Sequence, residues 1–232
     1  MAMDIKGFGV YVHYPRCRKK CGYCDFASLA MRDFDDARYM SVVERELEIR
    51  AVEYQGAGDL HSIYVGGGTP SLCQPMELKR IIKKLSESFS VAEHFEVTVE
   101  VNPGTVDTRF FELLLEAGVN RVSLGLQSMD DQLLRLLGRE HDAASGRKAF
   151  RDARAAGFGN IGCDLIFAVP GQSLESHLKQ LKLVLELEPN HVSTYSLTLS
   201  VETSMYRAGF RPADEDLVVE MMEAGREVLE QA

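Results

Sequence analysis

Six short runs rich in Val, Ile, Leu, Phe and Tyr recur along the chain, at residues 7–14, 62–66, 95–101, 121–125, 161–168 and 191–197. Their length and composition predict strands, and their near-continuous apolar character predicts burial on both faces. Between them the apolar positions recur every three to four residues, the helical spacing. Met40, Val43, Leu47, Ala51 and Tyr54 form one stripe, Leu78, Ile81, Ile82, Leu85 and Phe89 a second, and Phe111, Leu114 and Leu115 a third. Gly118 ends the third helix and Gly157 ends a helix closing at Ala155-Ala156, each where a left-handed residue would stop the helix. Further helices are predicted over residues 174–188 and from residue 214 onward.

Strand and helix therefore alternate. The joints Ala117-Gly118-Val119-Asn120 and Ala156-Gly157-Phe158-Gly159-Asn160 share one chemistry, which suggests a repeated βα unit. No Pro/Gly/Ser-rich linker divides the chain, so residues 1–232 are expected to form a single domain. Six βα units suit either an open doubly wound sheet or a partial barrel. The unusual residues favour the second. Cys17 to Cys24, Gly66-Gly67-Gly68-Thr69, Glu100-Val101-Asn102-Pro103, Gln127 and Asp164 mostly fall at or near the C-terminal ends of strands. Parallel α/β folds build their sites at that end. The expected fold class is α/β, a partial (βα)6 TIM-type barrel.

Charge and hydropathy then exclude partners. A net charge of −9 argues against nucleic acid, whose binding needs clustered cations. No apolar run reaches the roughly 18 residues that a membrane span requires. The opening Met-Ala-Met-Asp-Ile-Lys lacks the apolar stretch of a secretory leader, so a cytoplasmic protein is expected. Arg16, Arg18, Lys19 and Lys20 form a short basic cluster, read either as a solvated loop or as a positive collar around an anionic group.

The chain has five cysteines, three of them within eight residues, which points to a metal site and not to a disulfide framework. Cys17-x3-Cys21-x2-Cys24 places three thiolates on one loop, enough for three irons of a [4Fe–4S] cube. Four cysteines are the usual complement, and Cys73 and Cys163 lie far away among apolar or small neighbours. The fourth iron would be open to a small molecule. A structural zinc site with His13 as fourth ligand is the competing reading of the same loop. Beyond the loop, the glycines of Gly66-Gly67-Gly68-Thr69 would let the backbone approach a ligand. Glu100, Gln127 and Asp164 would offer acceptors to its ammonium and hydroxyl groups.

At this level of detail the chain resembles a known family. Tyr11-Val-His-Tyr-Pro-Arg-Cys17-Arg-Lys-Lys-Cys21-Gly-Tyr-Cys24-Asp-Phe is similar to the cluster loop of the radical S-adenosylmethionine (SAM) superfamily, and within it to the oxygen-independent coproporphyrinogen III oxidase-like group. The likeness continues through Ile63-Tyr-Val-Gly-Gly-Gly-Thr-Pro-Ser-Leu, Glu100-Val-Asn-Pro-Gly-Thr, Asn120-Arg-Val-Ser-Leu-Gly-Leu-Gln-Ser, Leu137-Gly-Arg139-Glu-His141 and Asp164-Leu-Ile-Phe-Ala-Val-Pro-Gly-Gln. The oxidases of that group carry a further cysteine two positions after the third. Here that position is Phe26, as in the haem-chaperone (HemW) branch.

The resemblance implies roles by position. Cys17, Cys21 and Cys24 would ligate the cluster, and its open iron would bind the amino and carboxylate groups of SAM. Tyr11 and Tyr23 would flank SAM, and Gly67, Gly68 and Thr69 would hold its methionine end. Glu100, Gln127, Arg139 and Asp164 would line the rest of the pocket. In the superfamily the reduced cluster splits SAM into methionine and a 5′-deoxyadenosyl radical. The implied partners are SAM, a haem or porphyrin-type ligand, and a flavodoxin- or ferredoxin-like reductant. The branch also carries a C-terminal region with a His-Asn-x-x-Tyr-Trp segment, and this chain contains no tryptophan, so only the core is expected here. A chaperone is the primary expectation. An oxidase-like enzyme or an inactive relative are the alternatives, and no catalytic residue is assigned.

Overall fold

The computed structural model describes residues 7–232. Residues 1–6, on which the expectation of no secretory leader largely rests, lie outside the described residues. The first half of the chain runs β1 (Gly7–Tyr14), β2 (Arg16–Cys17), β3 (Leu29–Ala30), α1 (Asp36–Glu53), β4 (Asp59–Gly67), α2 (Pro75–Ser88), β5 (Val91–Val101) and α3 (Thr108–Glu116). It continues through β6 (Arg121–Gln127), α4 (Asp131–Leu137), α5 (Ala143–Ala156), β7 (Asn160–Phe167), α6 (Leu174–Leu185), β8 (His191–Ser196), α7 (Ser204–Arg207) and α8 (Glu215–Glu230).

Six strands form one sheet in the order β1-β4-β5-β6-β7-β8, and every neighbouring pair is parallel. Each strand lies beside the next long strand in sequence, so the sheet grows by repeated βα crossovers and curls into a half-barrel with its helices outside. The open doubly wound alternative would require the strand order to reverse, and it does not.

The two faces of this sheet differ, which corrects the expectation of strands apolar on both sides. Ile63, Val65, Val97, Val99, Val122, Leu124 and Ile161 are buried against the helices. The alternate positions Tyr64, Thr98, Arg121, Ser123, Glu100, Asp164 and Ser193 pair across the strands on the other face. A closed barrel would fill that face with aliphatic layers. A half-barrel leaves it as a polar lumen.

Local sequence chemistry fixes the helix ends. Asp35, Asp107, Asp130, Asp142, Ser173, Thr203 and Asp214 each accept a bond from a first-turn amide of the helix they precede. The α2 helix begins instead with Pro75, whose missing N–H would have been unpaired there anyway. Gly118 and Gly157 adopt φ of +89° and +113°, the left-handed closures expected from the sequence. The apolar face of α2 packs Leu78, Ile81, Ile82 and Leu85 into the core, each such burial stabilising by roughly 1.5–3 kcal/mol. No helix among the described residues is long and apolar enough to cross a membrane.

Candidate cofactor site

The cluster loop leaves the C-terminal end of β1 and is closed at its base by the β2–β3 ladder. Leu29 N–H donates to Pro15 O at 2.8 Å and Met31 N–H to Cys17 O at 3.1 Å, so both ends of the loop are fixed. Its far side is fixed too. Gly22 N–H donates to Leu137 O at 3.2 Å, and Met205 N–H donates to Gly22 O at 2.9 Å. An irregular segment thus gains a defined shape from helices α4 and α7.

Behind the loop the lumen opens as a cavity of about 350 Å³ at the C-terminal rim. Cys17, Cys21, Cys24, Tyr23, Gly67, Gly68, Thr69, Glu100, Gln127, Arg139 and Asp164 all line it. Four strands and two loops bring these positions together. Tyr11 is the exception. It is exposed, stacks on Tyr64 with ring centroids 6.1 Å apart, and lines a separate cleft with Phe8, Tyr39 and Tyr54. The reason is its register: Tyr11 lies three residues before the end of β1, the edge strand, below the rim where the other groups gather.

The glycine run serves a purpose that the sequence did not reveal. A Cβ at Gly68 would stand 2.6 Å from Arg16 O, so this glycine lets the β4 turn pack on the base of the cluster loop. Gly67, at φ +119°, aims its N–H at Glu100 Oε2 over 3.1 Å. Tyr64 donates to Glu100 Oε1 at 2.9 Å. Ser123 Oγ shares its proton between the two oxygens of Asp164 at 3.1 and 3.0 Å. Burial holds both carboxyls above their ordinary pKa, against the opposing effect of these hydrogen bonds; Asp164 also raises Glu100, whereas Arg121 and His191 pull Asp164 back down. These two half-buried carboxylates, in no ion pair among the described residues, form an electronegative wall suited to ammonium or hydroxyl donors.

Opposite stands a donor set for an anionic centre. Thr69 Oγ1 lies 3.6 Å from Cys17 Sγ, and Arg139 Nη1 lies 3.6 Å from Cys21 Sγ. Arg139 Nη2 is fixed on Gly125 O at 3.0 Å, and its buried Nε has no partner among the described residues. Donors at cysteine sulfur suit an iron–sulfur cluster, whose charge such bonds stabilise. All five cysteines are free. In a cube each cysteine binds a different iron, so the sulfurs stand further apart than the ligands of one ion. Among the described residues no three His, Cys, Asp or Glu groups converge on a single-ion position. His13 is also committed elsewhere, with Nε2 2.7 Å from Ala27 O and Nδ1 3.3 Å from Tyr11 Oη.

One feature of the rim escapes any reading of residue types. Gln127 has φ +62°, a left-handed conformation costly for a side chain with a Cβ. It sits at the end of β6, where the strand must turn while keeping its amide at the cavity.

Residues 11–184 match the sequence profile of the Radical SAM superfamily. The chain belongs to the radical SAM superfamily. As a radical SAM protein its cofactors are a [4Fe–4S] cluster and SAM, and the donor set above fits them. It is 35% identical over 96% of its length to the heme chaperone HemW of Haemophilus influenzae, of which it spans 59%. It is likewise 35% identical over 96% of its length to the mitochondrial radical S-adenosyl methionine domain-containing protein 1 of Mus musculus, of which it spans 51%. Among solved structures, the coproporphyrinogen III oxidase HemN of Escherichia coli superposes with a TM-score of 0.84 at 26% identity. That match covers 96% of this chain and 52% of the oxidase. The chain therefore spans between half and three fifths of these relatives, and the partial barrel is the part they share.

Proposed function

We propose that this radical SAM chain serves a HemW-type haem chaperone as its cofactor-binding core, acting in the cytoplasm in haem trafficking. The observation that carries the reading is the 35% identity to heme chaperone HemW across almost the whole chain, joined to Phe26 at the third position of Cys24-Asp25-Phe26. Phe26 and Tyr195 line the cavity mouth and are exposed, which supports a broad, flat, partly apolar ligand such as haem or a porphyrin.

In this reading Cys17, Cys21 and Cys24 hold the cluster, with Thr69 and Arg139 donating to sulfur. Gly67, Gly68 and Tyr23 hold the amino-acid end of SAM, and Glu100, Gln127 and Asp164 accept its remaining donors. When bound, the two groups supply one-electron cleavage of a sulfonium. The protein's own work is to orient the donors, exclude water and keep the two carboxylates aimed at the ligand. Arg18 and Lys19, exposed on the cluster loop, suit a flavodoxin- or ferredoxin-like reductant.

The superposition on HemN favours a second reading, an oxidase-like enzyme acting on a porphyrin-type substrate. One experiment separates the two. Haem added to the cluster-loaded protein should give a Soret band at a defined stoichiometry and pass to an apo-haemoprotein acceptor, with no turnover of coproporphyrinogen III. Decarboxylation of coproporphyrinogen III with SAM consumption, and no haem transfer, would establish the enzyme instead.

A further inference from the structure

The inner face of α6 carries two buried polar residues, His177 and Gln180, and the second is tied to the cofactor cavity. His177, Gln180, Leu181 and Val184 are its buried positions, at helical spacing, and Gln180 is only 5% exposed. Burying an amide among aliphatic neighbours is unfavourable unless its polar atoms are used. Gln180 Oε1 accepts twice: from Ser128 Oγ at 3.0 Å and from the Met129 N–H. These two residues immediately follow Gln127, the left-handed residue at the cofactor cavity.

The connection continues beyond that turn. Ser128 Oγ accepts from Asp130 N–H at 3.0 Å, and Asp130 Oδ1 caps α4 through the Gln132 and Leu133 amides. The other end of α4 carries Leu137, whose carbonyl holds Gly22, and Arg139, whose guanidinium reaches Cys21 Sγ. A single buried acceptor on an outer helix thus fixes the turn from which both the Gln127 amide and the whole of α4 depart.

We infer that Gln180 is a positioning residue for the cofactor site, setting the Gln127 turn and, through the Ser128–Asp130 cap, the seat of α4 against the cluster loop. It touches neither cluster nor SAM, so it is not a catalytic residue. The inference rests on the cluster-and-SAM reading of the cavity but not on the identity of the cargo. Its energetic logic is that strain at Gln127 persists only while its surroundings over-determine it. Removing the acceptor frees the turn to relax and leaves a buried amide N–H and hydroxyl unpaired.

The test compares Gln180→Leu, which keeps volume and removes both bonds, with Gln180→Glu, which keeps an acceptor at the same reach. Ser128→Ala serves as a milder break of the same connection should Gln180→Leu fail to fold. Hydrogen exchange on the cofactor-free chain is the first readout. Gln180→Leu should lose protection over residues 128–133 and at Gly22 while the α2 and α3 amides stay as in wild type, and Gln180→Glu should restore it. The second readout is SAM binding to cluster-loaded protein at matched iron content. Dissociation constants should rise at least tenfold for Gln180→Leu, by a lesser factor for Ser128→Ala, and stay within about threefold of wild type for Gln180→Glu. A lower melting temperature with wild-type exchange at 128–133 and wild-type SAM affinity would reduce Gln180 to a packing residue and overturn the inference. Wild-type protein that takes up no SAM would overturn the cofactor reading instead, and the exchange data would still decide the connection.

Discussion

Glu100→Gln is the perturbation whose outcome the geometry constrains most tightly. Glu100 Oε1 accepts from Tyr64 and Oε2 from Gly67 N–H, at 2.9 and 3.1 Å. An amide can keep both contacts, its oxygen on Gly67 and its NH₂ on the tyrosine oxygen, but without charge assistance. Bonds to a charged group are worth about 1.5–3 kcal/mol and neutral ones about 0.5–1.5, so the two contacts together lose roughly 2 kcal/mol. The variant also removes a buried charge that burial and Asp164 both oppose, and the two effects offset. The cofactor-free melting point should therefore move by no more than about 2–4 °C, the change expected for roughly 1 kcal/mol in a chain of this size. Ligand binding has no such compensation. Losing one charge-assisted bond to SAM should weaken affinity by about 10- to 150-fold. Calorimetric titration of SAM into cluster-loaded wild type and Glu100→Gln, with parallel melts of the cofactor-free proteins, measures both quantities. A SAM affinity within twofold of wild type would refute the placement of Glu100 against the ligand. A large fall in melting point with unchanged affinity would make it a purely structural acceptor.

Four further predictions share this reasoning. Glu100 and Asp164 are both raised in pKa, so the native state holds their protons more readily than the unfolded state. Their contribution to stability is therefore lost as pH rises from the ordinary carboxylate range through the raised values. In cofactor-free denaturant titrations, Asp164→Asn should gain on wild type as pH rises through that window; a difference independent of pH would contradict it. Gln127→Gly should stabilise the cofactor-free protein by about 0.5–1 kcal/mol by relieving its left-handed backbone, and should weaken SAM binding by removing the amide. Gly138→Ala places a Cβ at φ +76° and 3.3 Å from Gly22 N. It should cost about 1–2 kcal/mol and lower the yield of cluster per chain on reconstitution. Cys21→Ala should abolish cluster assembly, whereas Cys73→Ala, 2% exposed with a thiol held protonated by burial, should keep wild-type iron.

The regular alternation of strand and helix was legible because each βα unit repeats the same punctuation. Aspartate, serine or threonine opens a helix, and glycine closes several of them. The helix α4 was not predicted, although Asp130 caps it and Gly138 ends it at φ +76°. Seven residues are too few for the apolar period to stand out. The β2–β3 ladder is shorter still, two residues on each side, and exists only because the loop between them is drawn back on itself. Reading the strands as apolar on both faces failed at the barrel's open side. Thr98, Ser123 and Asp164 are polar interruptions of apolar runs, and in hindsight they mark the lumen.

For the site, residue type and position at strand ends picked out the cysteine loop, Gly67, Gly68, Glu100, Gln127 and Asp164, which the fold gathers around one cavity. Tyr11 came from the family resemblance alone, and the structure places it in a separate cleft, because strand register decides depth and register follows from neighbours distant in sequence. Residue type and position could not reach Gln180 at all. A glutamine on an amphipathic helix looks like a solvent-facing residue until the turn at 128–129 is placed beside it.

The central claim is that Cys17, Cys21 and Cys24 hold a [4Fe–4S] cluster with one iron left for SAM. Electron paramagnetic resonance of the anaerobically reconstituted, dithionite-reduced protein, recorded with and without SAM, tests it most directly. The account predicts a [4Fe–4S]⁺ signal whose g-values shift when SAM is added. A protein that binds zinc and gives no cluster signal, or a cluster spectrum indifferent to SAM, would contradict it.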